Sequence, residues 1–470
     1  MAFNLIEVLT PEEIKQIHQY SMKVLENIGI QFNAAAAIEI FKKHGFKVEN
    51  NTVFMQEKQV LEAIKSVPSK FTLHARNHDR TVTIGGGNPV FVPAYGAPFV
   101  VDADVGKREA TMQDYHNLIS LVQSLPNQDV SGFTLVEPGD VPAELAHLYM
   151  LYATMIHSDK PYMGSTEGTI GARHTMEMLE IVFGEKISKP VVVGLINPIS
   201  PLGYSKEMSE ALMTYAQNGQ PVIIASLIMA GSTGPITLGG VLVQQNAEVL
   251  GGIVLTQIIN PGTPILYGST STNIEMRTGA LAIGSPELNL LVTAHAQMAR
   301  HYSFPSRAGG SLTDSNVPDN QAGFESMFSL LTTVNSGVDY ILHSAGILNG
   351  YLAVSYEKFV LDDEICGMVR HYRRGIEISE ENLAYDVIKN VGHSGNFLME
   401  MHTVERCRSE FWEPELCDRQ SLDKWMQSGR KDSIDRAKKR WQTMLSEHED
   451  PPIDKVILKQ LRSYFEEHIS

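Results

Sequence analysis

The residues that could do chemistry in this chain cluster at the ends of short apolar runs. Tyr95, Glu137, Asn197, Tyr267 and His343 fall at or near run ends, Arg307 lies within one, and Tyr351 and Phe359 follow in loops. Rings and small polar groups dominate this set, while nucleophiles and acid–base pairs are scarce. The sequence holds no Gly-x-Ser-x-Gly elbow, no phosphate-binding Gly-x-x-x-x-Gly-Lys-Ser/Thr loop, no His-Glu-x-x-His and no dinucleotide fingerprint. Aromatic faces attract cations through the ring quadrupole. A pocket of such rings suits a quaternary ammonium, which has no N–H to donate. The candidate rings are Tyr95, Tyr267, Tyr351 and Phe359. The competing reading for each of them is that it fills core.

The elements that must position these residues announce themselves by a repeated pattern. Pro190-Val-Val-Val-Gly, Pro221-Val-Ile-Ile-Ala-Ser and Pro264-Ile-Leu-Tyr-Gly-Ser each follow a segment of helical apolar spacing. Short, continuously apolar strands fed by helices are what a parallel sheet buried on both faces requires. The expected strands are 90–93 or 99–101, 130–136, 161–165, 191–196, 222–226, 265–269, 305–309 and 338–343. Eight βα units favour an α/β fold of the closed (β/α)8 TIM-barrel kind, with a doubly wound open sheet as the alternative. In either fold, chemistry belongs at the strand C-termini. Ser205, Ser285 and Asp319 are expected helix N-caps, as is Thr10 ahead of Pro11-Glu-Glu13. Thr81-Val-Thr-Ile-Gly-Gly-Gly-Asn88-Pro-Val-Phe-Val reads as two strands joined by a glycine turn. Leu361-Asp-Asp-Glu-Ile365 reads as a helix start, with metal binding the weaker alternative. Residues 1–90 are expected to form an N-terminal helical and small-β segment, 91–360 the barrel core, and 361–470 a C-terminal helical extension.

Composition limits the partners. The chain has 470 residues, 43% of them hydrophobic and 20% charged, and a net charge of −16, which argues against general nucleic-acid binding. The expectation is a chain without a membrane span, since no apolar run approaches about 18–20 residues, and without a secretory leader. Cys366, Cys407 and Cys417 are too scattered for a disulfide framework, which suits the cytoplasm. His402, Cys407 and Cys417 match no strong zinc pattern, so no metal site is assigned. A homo-oligomer is expected only because symmetric assembly is common among soluble enzymes.

Several segments also resemble one family, the trimethylamine methyltransferase superfamily of corrinoid-dependent methyltransferases. They include Leu125-Pro-Asn-Gln-Asp129, Glu137-Pro-Gly-Asp-Val-Pro142, Asn197-Pro-Ile-Ser-Pro-Leu202 and Gly231-Ser-Thr-Gly-Pro-Ile-Thr-Leu238. Gln244-Gln-Asn-Ala-Glu-Val-Leu250, Asn260-Pro-Gly262, Gly284-Ser-Pro-Glu287, Thr313-Asp314, Asp319-Asn-Gln-Ala-Gly323 and Ser355-Tyr-Glu357 continue the match. The resemblance runs from about residue 5 to 450. It implies a TIM barrel and methyl transfer to the cobalt of a separate corrinoid protein. The trimethylamine enzymes carry pyrrolysine, and this sequence has only standard residues. It therefore resembles the branch that demethylates quaternary amines such as glycine betaine, proline betaine or carnitine.

That chemistry agrees with the sparse acid–base equipment, because a quaternary nitrogen leaves as a neutral amine under direct attack by Co(I). The substrate carboxylate needs a donor, and His343 or Arg307 can provide it, the alternatives being a structural role for His343 and pairing of Arg307 with Glu287 or Asp314. Asn197 is a further candidate, and Glu137 can balance the ammonium. No residue is assigned a catalytic role. No cofactor is expected to be held tightly by this chain, since the cobalt-binding Asp-x-His-x-x-Gly motif is absent and a methylcobamide would come from the partner. The alternatives are a barrel methyltransferase for another donor and a non-catalytic betaine-binding regulator.

Overall fold

The computed structural model describes residues 5–102 and 105–470. Its centre is one parallel sheet of seven strands: β1 (Val90–Phe91), β2 (Tyr162–Gly164), β3 (Val192–Ile196), β4 (Val222–Ser226), β5 (Ile265–Ser269), β6 (Ser306–Gly309) and β7 (Tyr340–Leu342). Their spatial order is β1-β7-β6-β5-β4-β3-β2, so each strand from β2 to β7 lies beside its successor and β1 closes onto β7. Every residue of these strands is buried, as the continuous apolar runs require.

The eighth expected strand does not form. Residues 130–136 run as bends, with Leu135 N–H already turned back onto Phe133 O. The chain there nevertheless spans the gap between the sheet edges. Asp129 N–H donates to Phe91 O (2.8 Å) beside β1, and Ser131 N–H donates to Pro161 O (2.9 Å) beside β2.

The longer helices are α1 (Pro11–Asn27), α2 (Met112–Ser124), α3 (Ala146–His157), α4 (Gly168–Phe183), α5 (Lys206–Gln217), α6 (Leu238–Ile259), α7 (Pro286–His301), α8 (Asn320–Asn335), α9 (Tyr356–Arg374), α10 (Ser433–Ser446) and α11 (Lys455–Ile469). The expected caps form at Thr10, Ser205, Ser285 and Asp319, each side chain accepting a first-turn N–H. Among the described residues α6 alone is long and apolar enough to cross a bilayer, which the sequence reading overlooked. It is instead a core helix, 78% buried in its most apolar window and carrying buried Gln244, Gln245, Asn246 and Glu248.

The glycine turn forms as expected, Gly85–Gly87 leading from Val82–Ile84 to Val90–Phe91, with the first strand pairing with Phe71–Leu73 and the second entering the main sheet. All three glycines have positive φ, so the run turns the chain from one sheet to another. Two further expectations need correction. Asp362, Asp363 and Glu364 are not in a first turn, because α9 starts six residues earlier under a Ser355 cap. These buried carboxylates tether loops: Asp362 accepts from Gly346 N–H and Lys358 Nζ, Asp363 from Asn127, and Glu364 from Leu416 and Cys417 N–H. The boundary expected at residue 361 therefore falls inside a continuous helix.

A buried knot fixes α2 to α9. Arg108 reaches both oxygens of Asp114 (2.6 and 2.7 Å), Thr111 donates to the same carboxylate, and the Tyr356 hydroxyl adds a fourth bond (2.8 Å). Burial alone would raise the Asp114 pKa, but Arg108 and the hydroxyls outweigh it and hold it at about 2. Because the folded value lies below the unfolded one of about 3.8, the stabilisation is full above about pH 4 and disappears as pH falls towards 2. We expect Asp114→Asn to lose roughly 2 kcal/mol at pH 7. The gap in thermal midpoint between variant and parent should narrow as pH falls below about 4 and close only below about pH 2.

Candidate functional site

Register decides which side chains face inward. Arg307 on β6 is aligned with Tyr340 on β7 and Gly268 on β5, so these three share one face of the sheet. Tyr267, one residue earlier, faces the other way. Its hydroxyl donates to Asn246 Oδ1 on α6 (2.8 Å), and its ring stacks on His295 of α7 (centroids 4.7 Å apart). Tyr267 therefore belongs to the layer between sheet and helices and leaves the set of cage candidates. Phe359 leaves it too, being fully buried in α9 with its ring against the Gly346 backbone. We expect Tyr267→Phe to strand Asn246 Oδ1 and cost about 1–2 kcal/mol. Because Tyr267 faces the helices, kcat/KM should stay within about twofold of the parent value, which steady-state kinetics beside thermal unfolding will check.

Inside the sheet the remaining candidates converge. Arg307 is 1% exposed, and among the described residues no carboxylate pairs with it. One guanidinium nitrogen donates to Ser269 O (3.0 Å), and Nε has no partner. The Tyr340 hydroxyl, the Tyr351 hydroxyl and His343 Nδ1 are also buried without partners. His343 and Tyr351 come from the loop after β7, their rings 4.7 Å apart. That loop carries three left-handed non-glycine residues, His343, Asn349 and Tyr351 (φ 60°, 50° and 73°), of which only the tyrosine is a type that does not favour this conformation. Its ends are held by His343 N–H donating to Pro93 O and by His343 O accepting from Ser311 N–H.

The electrostatics follow from burial around one cation. Burial pushes Arg307 down to about 10, so it stays charged at neutral pH. Burial first, and Arg307 second, drive His343 far below its usual range, so its imidazole is neutral. Burial raises the phenols of Tyr340, Tyr351 and Tyr95, keeping all three protonated. The inner site is a single positive charge with neutral donors around it.

Tyr95 links this inner site to a cleft of about 700 Å³ at the strand C-termini, lined also by Thr134, Glu137, Thr166, Glu167 and Asn197. Thr134 and Thr166 stand at the Tyr95 hydroxyl, which feels Glu167 and Glu137 beyond them. Asn197 donates to Ala225 O (2.8 Å) and so ties the end of β3 to β4. Burial and the neighbouring Glu167 raise the pKa of Glu137. Two carboxylates that repel each other across a cleft are relieved by a cation placed between them. The charges are segregated, with carboxylates at the cleft and the guanidinium within.

Tyr340 and Glu167 belong to this arrangement but were not chosen from sequence. Tyr340 opens its strand, where a search of strand C-termini does not look. Glu167 was visible as a strand-end residue, and only its pairing with Glu137 in space singles it out.

The family model for trimethylamine methyltransferase (MTTB) matches residues 1–469. The chain is 48% identical over 460 residues to the glycine betaine methyltransferase of Desulfitobacterium hafniense (strain Y51), covering 97% of this chain and 96% of that one. It is 35% identical to the proline betaine:corrinoid methyltransferase of Eubacterium limosum over 88% and 87% of the two chains. The figure for the L-carnitine:corrinoid methyltransferase of the same organism is 30%, over 94% and 93%. Among solved structures, the hydroxylamine complex of MtmB aligns with a TM-score of 0.50 at 14% identity over 92% of each chain, a likeness of fold alone.

Proposed function

The chain belongs to the trimethylamine methyltransferase (MTTB) family, and on that premise we propose that it demethylates a betaine-type quaternary amine. The methyl group passes to the Co(I) of a corrinoid carried by a separate protein, and a tertiary amine is released. The observation that carries this reading is Arg307, a buried guanidinium with no carboxylate of its own. An uncompensated buried charge is costly, and the carboxylate of a betaine would balance it, with Tyr340, Tyr351 and His343 bringing polar atoms that lack partners. The ammonium end then meets Tyr95, Glu137 and Glu167 in the cleft.

This chain's task is to hold the zwitterion with one N-methyl outward. Departure needs no acid, since the nitrogen is already positive. Positioning in a near-attack geometry can contribute on the order of 7–11 kcal/mol. The Tyr95 face adds ~0.5–2 kcal/mol of cation attraction. That attraction must stay moderate, because the charge vanishes in the reaction and binding substrate and transition state equally does not raise turnover.

We read the seven strands and the 129–131 bridge as a closed (β/α)8 barrel whose mouth receives the partner. Residues to about 90 and those after α9 would be accessory. The rim supports docking: Ile199, Ile236, Met276, Val317 and Leu352 lie in five successive strand-end loops and are each 48–68% exposed. Exposed apolar residues repeated around one end of the sheet suit an interaction face. A Co(I) acceptor also demands a reducing compartment, which supports the cytoplasm.

Ligand-induced thermal shifts test the substrate class. Glycine betaine should stabilise the chain, while choline, which lacks the carboxylate, and acetate, which lacks the ammonium, should not. Equal stabilisation by choline and glycine betaine would overturn the bipolar assignment.

A further inference from the structure

The displacement leaves a basic tertiary amine whose lone pair can take the methyl group back. Protonation removes that lone pair, yet the docked corrinoid protein would cover the mouth and shut out bulk water. The proton therefore needs another route, and a line of side chains leads away from the cleft towards the C-terminal helix. Glu167 lines the cleft. Behind its Oε2, at 3.3 Å, stands Nδ1 of His147 on α3, buried and without a hydrogen bond of its own. Nε2 of His147 lies 2.9 Å from Nδ1 of His174 on α4. The two rings are nearly coplanar, 10° apart, so the contact runs edge to edge. The His174 ring meets His468 of α11, centroids 5.0 Å apart, on the outer side of the helical layer. His147 is 3% and His174 7% exposed, while His468 is half-buried at the surface.

Resting on the methyl-transfer reading above, we propose that Glu167, His147 and His174 form a proton relay that delivers one proton from the far side of the molecule to the product amine. As Co(I) displaces the amine, the C–N bond breaks with its electron pair on nitrogen and the Co–C bond forms. As the positive charge leaves nitrogen, the Glu167 carboxylate takes a proton on Oε2 from Nδ1–H of His147 and passes it to the amine. His147 takes a proton on Nε2 from Nδ1–H of His174, and His174 is refilled from water beside His468. The net change is one solvent proton moved onto the amine, with no redox partner required.

The surroundings suit such a wire. Glu167 faces Glu137 and Tyr95 across the cleft. His174 faces His147, His468, Arg173 and Glu177, and Tyr464 packs edge-on against its ring. Burial, then His147, His468 and Arg173, lower the His174 pKa to about 4. His174 is thus neutral, with one nitrogen able to give while the other takes. The 3.3 Å first link is loose, as catalytic contacts often are before substrate tightens them.

The test uses the full chain with glycine betaine and two acceptors, the cognate corrinoid protein and free cob(I)alamin, which leaves the mouth open to water. His147→Gln and His174→Gln keep polar contacts but cannot carry protons between two ring nitrogens. Turnover with the corrinoid protein should fall about tenfold or more in both variants, with KM for betaine little changed. The loss with free cob(I)alamin should be at least about tenfold smaller. His174 lies one shell further out, so its variant keeps the test alive if His147→Gln does not fold. Parental turnover in both variants, or equal losses with both acceptors, would overturn the relay. A parent that forms no methyl–cobalt with either acceptor would instead sink the methyl-transfer reading itself.

Discussion

Arg307→Met is expected to abolish the preference for a carboxylate-bearing quaternary amine and to lower kcat/KM for glycine betaine by roughly 10²–10⁴-fold. Two charge-assisted hydrogen bonds in a buried site are worth about 1.5–3 kcal/mol each, and about 1.4 kcal/mol is tenfold. The same substitution removes an unpaired buried charge. The ligand-free variant should therefore unfold no earlier in temperature than the parent. This opposition of effects is diagnostic. A structural arginine would lose stability together with activity, whereas a ligand-binding one loses activity while stability holds. Steady-state kinetics beside a thermal melt, each with and without glycine betaine, reads both sides at once.

Glu137→Lys is the second large effect, at the other pole of the site. Glu137 is exposed at the cleft rim, so reversing its charge leaves folding intact. A positive charge about 5 Å from the ammonium, at an effective dielectric near 20, repels it by roughly 3 kcal/mol. Exposure and salt reduce that figure, leaving an expected loss of roughly 10–100-fold in kcat/KM. The loss should shrink as salt is raised. Glu137→Gln should be milder, since Glu167 remains. The sign of the pH dependence also follows. Because burial and Glu167 raise the Glu137 pKa, protonation neutralises it at higher pH than an isolated glutamate. Betaine affinity should therefore fall as pH drops through that raised value, and the fall should vanish in Glu137→Gln.

The legible and illegible parts of this molecule separate along physical lines. Caps are local hydrogen-bond problems, and Thr10, Ser205, Ser285 and Asp319 could be found from a few neighbouring residues. The strands of the parallel sheet were equally plain, because burial on both faces leaves uninterrupted apolar runs. That same uniformity hides which face is which. Nothing in Ile265-Leu-Tyr-Gly-Ser269 says that Tyr267 meets α6 while Gly268 faces Arg307. Inward Tyr340 and outward Tyr267 look alike until pairing fixes the register.

The candidate site was half visible. Tyr95, Glu137 and Asn197 line the cleft, while Arg307, His343 and Tyr351 lie buried further in. Phe359 failed because its loop placement was wrong: Ser355 caps a helix that carries the ring away from the mouth. The left-handed backbone at Tyr351 had no sequence signal, and at His343 only the weak one that histidine is enriched in that region. Glu167, His147 and His174 are separated along the chain, and only the packing of α3 and α4 brings them into line.

The central claim is that this chain removes a methyl group from a betaine and gives it to cobalt. Its most direct test is to incubate the purified chain with glycine betaine and reduced cob(I)alamin under anaerobic conditions, following absorbance while identifying the amine. We expect methylcobalamin to appear with an equal amount of N,N-dimethylglycine, and only when the chain is present. Tight binding of glycine betaine with no methylcobalamin formed, whether free cobalamin or the corrinoid protein is the acceptor, would contradict the account and make the chain a betaine-binding protein.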